Sequence, residues 1–140
     1  MTSKDVFPFF SDGWIEAVEE ELQALVDVAG DDGASVRFTL AETYRDAPAG
    51  VPGESGGCVG LVMAIADGRA RIRRGHDAAF DVGIEAYWPD AIEAVRLVGA
   101  DYEASRAQRY GNGRLRFSGD LTKVPAFLGP LHDRIAARTA

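Results

Sequence analysis

The sequence predicts an α+β fold in which helices pack against a largely antiparallel sheet. Three observations carry that prediction. Residues 12–28 hold a helical apolar stripe, and residues 59–74 alternate on both sides of a tight-turn dipeptide. Two further alternating segments, 79–87 and 114–118, are separated by helical pattern rather than by another strand. The resulting order is helix, three strands, a fourth strand, two helices, a fifth strand and a terminal helical segment.

The opening helix is set by Trp14, Val18, Leu22, Leu25, Val26 and Ala29, which recur at three- and four-residue spacing. Glu16, Glu19, Glu20, Gln23 and Asp27 point elsewhere. Ser11 or Asp12 can cap this helix, the early glutamates suit the positive end of its dipole, and Gly30 with Asp31-Asp32-Gly33 ends it. A strand follows, in which Val36, Phe38, Leu40 and Tyr44 alternate with Arg37, Thr39 and Thr43. Residues 45–57 carry proline and glycine throughout and form a loop. Asp67-Gly68 then favours a two-residue hairpin turn, which puts Ile65 opposite Ala70 and Met63 opposite Ile72. One hairpin face is apolar; the other sets Val62, Ala64 and Ala66 against Arg69, Arg71 and Arg73.

The strand 79–87 places Phe80, Val82, Ile84 and Ala86 on one face. Trp88-Pro89-Asp90 opens a helix to about Val98, because proline in a first turn loses no hydrogen bond. Gly99 is expected to stop it. A polar helix over about 101–110 and the strand 114–118 follow. The last segment, 122–138, has an apolar stripe of Val124, Phe127, Leu128, Leu131 and Ile135, yet contains Pro125, Gly129 and Pro130. Proline costs about 3 kcal/mol inside a helix and glycine about 1. Two short pieces hinged at Gly129-Pro130 are therefore expected, with Pro125 in a first turn capped by Thr122. Such a segment suits either a lid over a cavity or a kink that follows the curvature of the sheet.

The 140 residues are expected to form one domain over 1–140, with its core in 11–138. That length buries about 68–70% of the unfolded surface. Hydrophobic residues at 46% and charged residues at 26% are ordinary for a globular protein. No apolar run approaches the roughly 20 residues that span a bilayer, and the start lacks a secretory leader's apolar core. A lone cysteine, Cys58, forbids an internal disulfide and reads as a small apolar side chain. A cytoplasmic protein without membrane insertion is expected. A net charge of −7 argues against nucleic acid, whose phosphates need a basic face.

Several motifs suggest chemistry and are weak. Gly53-Glu54-Ser55-Gly56-Gly57 matches a nucleophile elbow, but the elbow needs a strand before it and a helix after it. Here a Pro/Gly loop precedes and a strand follows, so a linker is expected. His76-Asp77 and His132-Asp133 are adjacent pairs, and sequence neighbours on a strand or helix do not face each other. Neither histidine is expected to act, and no metal site or cofactor is expected. Arg69, Arg71 and Arg73 share one strand face, where an acidic partner or a phosphate headgroup could bind. Keeping that face soluble is their simpler role.

The chain resembles the sterol-carrier-protein domain family over about Ser11 to Leu131. The resemblance rests on the amphipathic first helix with Trp14, on Phe80-Asp81-Val82-Gly83-Ile84, and on Gly113 to Phe117 followed by Ser118-Gly119-Asp120-Leu121. These are structural punctuation rather than a catalytic motif. The chain departs from eukaryotic members in ending Arg-Thr-Ala, without a peroxisomal targeting tail, and its second helix is short of apolar residues. The resemblance implies a five-stranded sheet with helices and an apolar tunnel that accepts sterols, fatty acids or acyl-coenzyme A. Trp14, Val18, Leu61, Met63, Phe80, Val82, Ile84, Phe117, Phe127, Leu128 and Leu131 are then expected to line a shared cavity. Non-catalytic binding or carrying is the leading function. The alternatives are a small enzyme using the same pocket, through His76, Asp81 or Asp120, and an interaction module without a ligand.

Overall fold

The computed structural model describes residues 5–76 and 79–140. The Asp77 of the His76-Asp77 pair lies outside them. Helix α1 spans Asp12–Val28, the range that the apolar spacing predicts. Ser11 caps it, its Oγ accepting from the Trp14 N–H at 3.2 Å. The chain leaves α1 through Gly30, but Asp31-Asp32-Gly33 is not a simple turn: Asp31–Ser35 form a short second helix, α2. Gly33 is what lets α2 close on α1, since a Cβ there would lie 2.0 Å from the Val26 carbonyl oxygen.

Strands β1 (Phe38–Arg45), β2 (Val59–Ala66), β3 (Arg69–Arg74), β4 (Val82–Tyr87) and β5 (Arg116–Gly119) form one five-stranded sheet. Its order is β3-β2-β1-β4-β5. Every neighbouring pair is antiparallel except β1 with β4. The parallel pair arises because β3 ends at the sheet edge and the chain crosses back to the far side of β1. The β2–β3 register is the predicted one, Ile65 facing Ala70 and Met63 facing Ile72. Asp67 and Gly68 have φ of 53° and 74°, as a type I′ turn requires. Gly68→Val should therefore strain the turn by about 1–3 kcal/mol and lower the thermal midpoint by roughly 3–10 °C. An unchanged midpoint in a thermal melt would contradict this register.

Pleating sorts the strands into two faces. Phe38, Leu40, Glu42 and Tyr44 of β1 pair with Ile65, Met63, Leu61 and Val59 of β2 on the helix-covered face. Val82, Ile84 and Ala86 of β4 join them across the parallel pair. The opposite face carries Arg69, Arg71 and Arg73, all exposed. Arg74 instead meets the helix side. Its Nη2 donates to the Phe10 carbonyl at 2.7 Å and its Nη1 lies 2.8 Å from Asp12. This clamp supports Phe10 at a φ of 71°, a conformation uncommon for a bulky residue. Phe9 and Phe10 enter an aromatic core with Trp14, Tyr44 and Trp88, where Phe9 sits 4.9 Å from both Trp14 and Trp88.

The later elements depart from expectation at their edges. Phe80 precedes β4 rather than lying in it, and β4 begins at Val82. Helix α3 (Trp88–Ala94) is shorter than predicted, and Gly99 begins the next helix, α4 (Gly99–Gly111), instead of ending the previous one. Gly99 can do so because its φ is +56°, which redirects the chain between the two helices. The break at Gly129-Pro130 is present: helix α5 (Leu131–Ala136) starts directly after Pro130. Before it lie two 3₁₀ turns, Leu121–Lys123 and Ala126–Leu128. Pro125 precedes the second turn, and the first is capped by Asp120, not Thr122, whose N–H donates to the Asp120 carboxylate at 3.0 Å.

Helix α5 and the residues after it are core. Leu131, Ile135, Arg138 and Thr139 are buried. The Trp14 indole donates to the Thr139 hydroxyl at 3.0 Å, and Arg138 pairs with buried Glu21 at 2.9 Å. Residues 121–130 alone can therefore behave as a cover; α5 cannot be removed without opening the core. No helix among the described residues is long and apolar enough to cross a membrane.

Candidate functional site

Helix α4 explains where space is left in the molecule. None of its residues is buried, so it stands off the sheet instead of packing into it. Tyr102, Arg106 and Arg109, spaced four and three residues apart, turn toward the sheet from one side of α4. Between Tyr102 and Arg106 and the strands lies a cavity of about 590 Å³, inside the range of about 300–1,000 Å³ common for small-molecule sites. Leu40, Glu42, Met63, Val82, Ile84 and Phe117 form its floor. The 3₁₀ turns and α5 close it with Leu121, Val124, Leu128, Leu131 and His132. The breakers Pro125, Gly129 and Pro130 thus bend the chain around a cavity that a continuous helix could not follow.

A second chamber of about 190 Å³ continues inward. It shares Glu42, Met63, Ile84, Tyr102, Arg106, Phe117 and His132 with the first and ends against Phe9, Trp14, Tyr44 and Val95. At the outer end, Leu121 and Val124 are exposed, so the large chamber reaches the surface beside two apolar side chains.

The walls are mostly apolar, but a few polar groups converge. Glu42 occupies a floor position between Leu40 and Tyr44 on β1, where alternation calls for an apolar residue. The Tyr44 hydroxyl donates a short hydrogen bond to it. Burial holds the Glu42 carboxyl above its usual value, and the Tyr44 bond pulls it partly back. Burial also pushes the Tyr44 phenol well up, with the neighbouring Glu42 charge adding to the effect. Across the cavity, the Tyr102 ring stacks on His132 with centroids 3.4 Å apart. His132 Nε2 lies 2.7 Å from the Leu97 carbonyl and donates to it, while burial holds the imidazole below its ordinary value. Arg106 lies over the Phe117 ring, its guanidinium 5.5 Å from the centroid. Arg109 donates to the Ser105 hydroxyl at 3.2 Å.

The Glu42 environment has a pH signature. Its pKa is raised on folding, so above the unfolded value near 4.5 the folded state holds more proton than the unfolded state. The stability that this group contributes is full below that value and lost as pH rises through the folded one. Glu42→Gln keeps an acceptor for Tyr44 and removes the charge. It should be more stable than the parent at pH 8 in denaturant titrations, with the difference vanishing below pH 4.5. A constant difference across that range would contradict the assignment.

Seven of the expected lining residues meet at this cavity: Trp14, Met63, Val82, Ile84, Phe117, Leu128 and Leu131. Val18 and Leu61 are completely buried and serve as packing behind it. Phe127 packs on the core without reaching the space. Phe80 is 47% exposed and lies on the opposite face, where its ring covers Gly83. It fails to line the cavity because the chain is not yet in the strand at residue 80, so the pleat does not fix its side. Glu42, Tyr44, Tyr102, Arg106 and Arg109 were not placed at the site from the sequence; the break in the β1 alternation at residue 42 and the four- and three-residue spacing on α4 are the signals that would have found them.

The remaining candidates are structural or apart from one another. Asp81 accepts from the Thr39 N–H at 2.8 Å and lies 3.5 Å from Lys123. Asp120 caps a turn, and its own N–H donates to the Asp81 carbonyl at 2.9 Å. Gly119 is required there, because a Cβ would lie 2.1 Å from that carbonyl oxygen. The Asp-Val and Gly-Asp-Leu punctuation is thus one lock between β1, β4 and β5. Ser55 exchanges backbone hydrogen bonds with Cys58 in a small turn. His76 is exposed and covers Gly60 on the face away from the cavity, whereas His132 lines the cavity. No group of His, Cys, Asp and Glu among the described residues could hold a metal ion.

No protein-family model and no curated protein matches the chain. Solved structures do. The crystal structure of sterol carrier protein 2 aligns over 94% of this chain and 99% of its own, at 20% identity and a TM-score of 0.61. Sterol carrier protein domain 2 of Helicoverpa armigera aligns over 100% and 98%, at 15% identity and a TM-score of 0.59. A Thermus thermophilus protein described as possibly a sterol carrier protein aligns over 98% and 92%, at 17% identity and a TM-score of 0.56. The chain has the sterol-carrier-protein fold.

Proposed function

We propose that this sterol-carrier-protein-like chain binds and carries an apolar small molecule in the cavity between the sheet, α4 and the terminal turns. The observation that carries the reading is the cavity itself, about 590 Å³ of space floored by Leu40, Met63, Val82, Ile84 and Phe117. A sequence selected only for packing would have filled it with side chains, since interiors are close-packed. The fold supports the same reading, because the structures that align along their whole length are named as sterol carriers. Sterols, fatty acids and acyl-coenzyme A are the candidate ligands. Trp14, Met63, Val82, Ile84, Phe117, Leu128 and Leu131 form the apolar contact surface, and polar groups at Glu42, Tyr102, Arg106 and His132 orient the ligand.

Each large apolar group buried is worth about 1.5–3 kcal/mol, so several contacts reach micromolar affinity, about −8 kcal/mol. Titration of the protein with a fluorescent fatty acid should saturate at one ligand per chain in that range. No binding of fatty acid, sterol or acyl-coenzyme A at tens of micromolar would overturn the reading. Recognition of an acidic group by the exposed Arg69, Arg71 and Arg73 is a separate proposal. It requires salt-sensitive binding that reversal of those charges abolishes, with the cavity left unaltered.

A further inference from the structure

We propose that Glu42 and Tyr44 form a polar anchor inside the cavity that selects ligands carrying a hydroxyl group within an otherwise apolar body. This deepens the carrier reading and rests on it. Glu42 stands in the floor between Leu40 and Tyr44, with Ile84 beside it on β4 and Leu61 beside it on β2. It lines both chambers, so a ligand that fills the space must pass over its carboxyl. A carboxylate has about four acceptor sites. Among the described residues the Tyr44 hydroxyl is the donor that reaches it.

That spare accepting capacity discriminates between ligands. A plain hydrocarbon laid across Glu42 would strip water from the carboxyl and return no hydrogen bond, which disfavours binding. A hydroxyl at that point donates to the carboxyl and restores what desolvation removed. The Tyr44 ring is wedged against Phe9 and Phe10, with centroids at 5.7 and 6.1 Å, so its hydroxyl holds the carboxyl in a fixed direction. An ammonium group would also donate, but Arg106 and Arg109 already line the inner chamber with two positive charges. A neutral donor avoids that repulsion. The anchor sits at the junction of the chambers, so the hydroxyl belongs in the middle of the ligand and not at its exposed end.

The test is displacement of a fluorescent fatty acid by octadecanoic acid and by monohydroxy-octadecanoic acids with the hydroxyl moved along the chain. One mid-chain isomer should bind about tenfold tighter than octadecanoic acid, the size expected of a hydrogen bond to a charged group. Glu42→Leu should bring that ratio to near one, because it weakens binding of the hydroxylated isomer and not the contacts that both ligands share. Tyr44→Phe, which keeps the packed ring, should reduce the ratio as well and guards against misfolding of the leucine variant. A ratio near one in the parent protein, or a ratio that survives both substitutions, overturns the anchor but leaves the carrier reading intact. If neither the fluorescent fatty acid nor a sterol or acyl-coenzyme A binds at tens of micromolar, the carrier reading fails and the anchor falls with it.

Discussion

Arg138→Ala is expected to cost roughly 3 kcal/mol or more of folding stability. Arg138 is buried, lies 2.9 Å from Glu21, and donates to the Asp5 carbonyl at 2.8 Å. Glu21 is only 3% exposed, so removing Arg138 takes a charge partner at 2.9 Å away from a buried carboxylate. Arg134, at 3.5 Å, is a more distant partner. The expected thermal shift is about 6–15 °C. Replacing Glu21 and Arg138 together by methionine should recover most of the loss, since burying two apolar groups avoids both desolvation penalties. A single substitution that leaves the melting curve unmoved would show that the terminal residues are not docked on α1.

Ile84→Trp should separate function from stability in the opposite sense. Ile84 lies mid-strand on β4 with its side chain in both chambers. A tryptophan there extends into open space and not into packed atoms, so the fold should lose less than the about 1–3 kcal/mol typical of overpacking a filled core. Binding of an apolar ligand should fall at least tenfold, because the added ring occupies the volume that the ligand needs. A folded variant with parental affinity would place the ligand elsewhere.

Much of the fold was legible from local chemistry. The Asp67-Gly68 turn and its register, the α1 stripe with its Ser11 cap, and the break before Leu131 each depend on neighbours in sequence. Phe9 and Phe10 were not legible, because they sit in a non-repeating stretch and pack through contacts with Trp14, Tyr44 and Trp88. Phe80 was misplaced for a related reason: alternation extrapolated past the start of β4 assigns a face that the backbone does not honour. The polar part of the site was legible in principle. Glu42 breaks the apolar row of β1, and α4 lacks the stripe that a core-packing helix requires. Both signals mark a cavity, since a helix that faces space has no reason to carry leucines.

The central claim is that the space under α4 and the terminal turns holds an apolar molecule. Lipid extraction and mass spectrometry of the purified parent protein, with Ile84→Trp purified in parallel, test it most directly. The account predicts an apolar ligand recovered from the parent, at up to one per chain, and strongly depleted in the variant. Equal recovery from both proteins would contradict it, because the ligand would then owe nothing to the cavity.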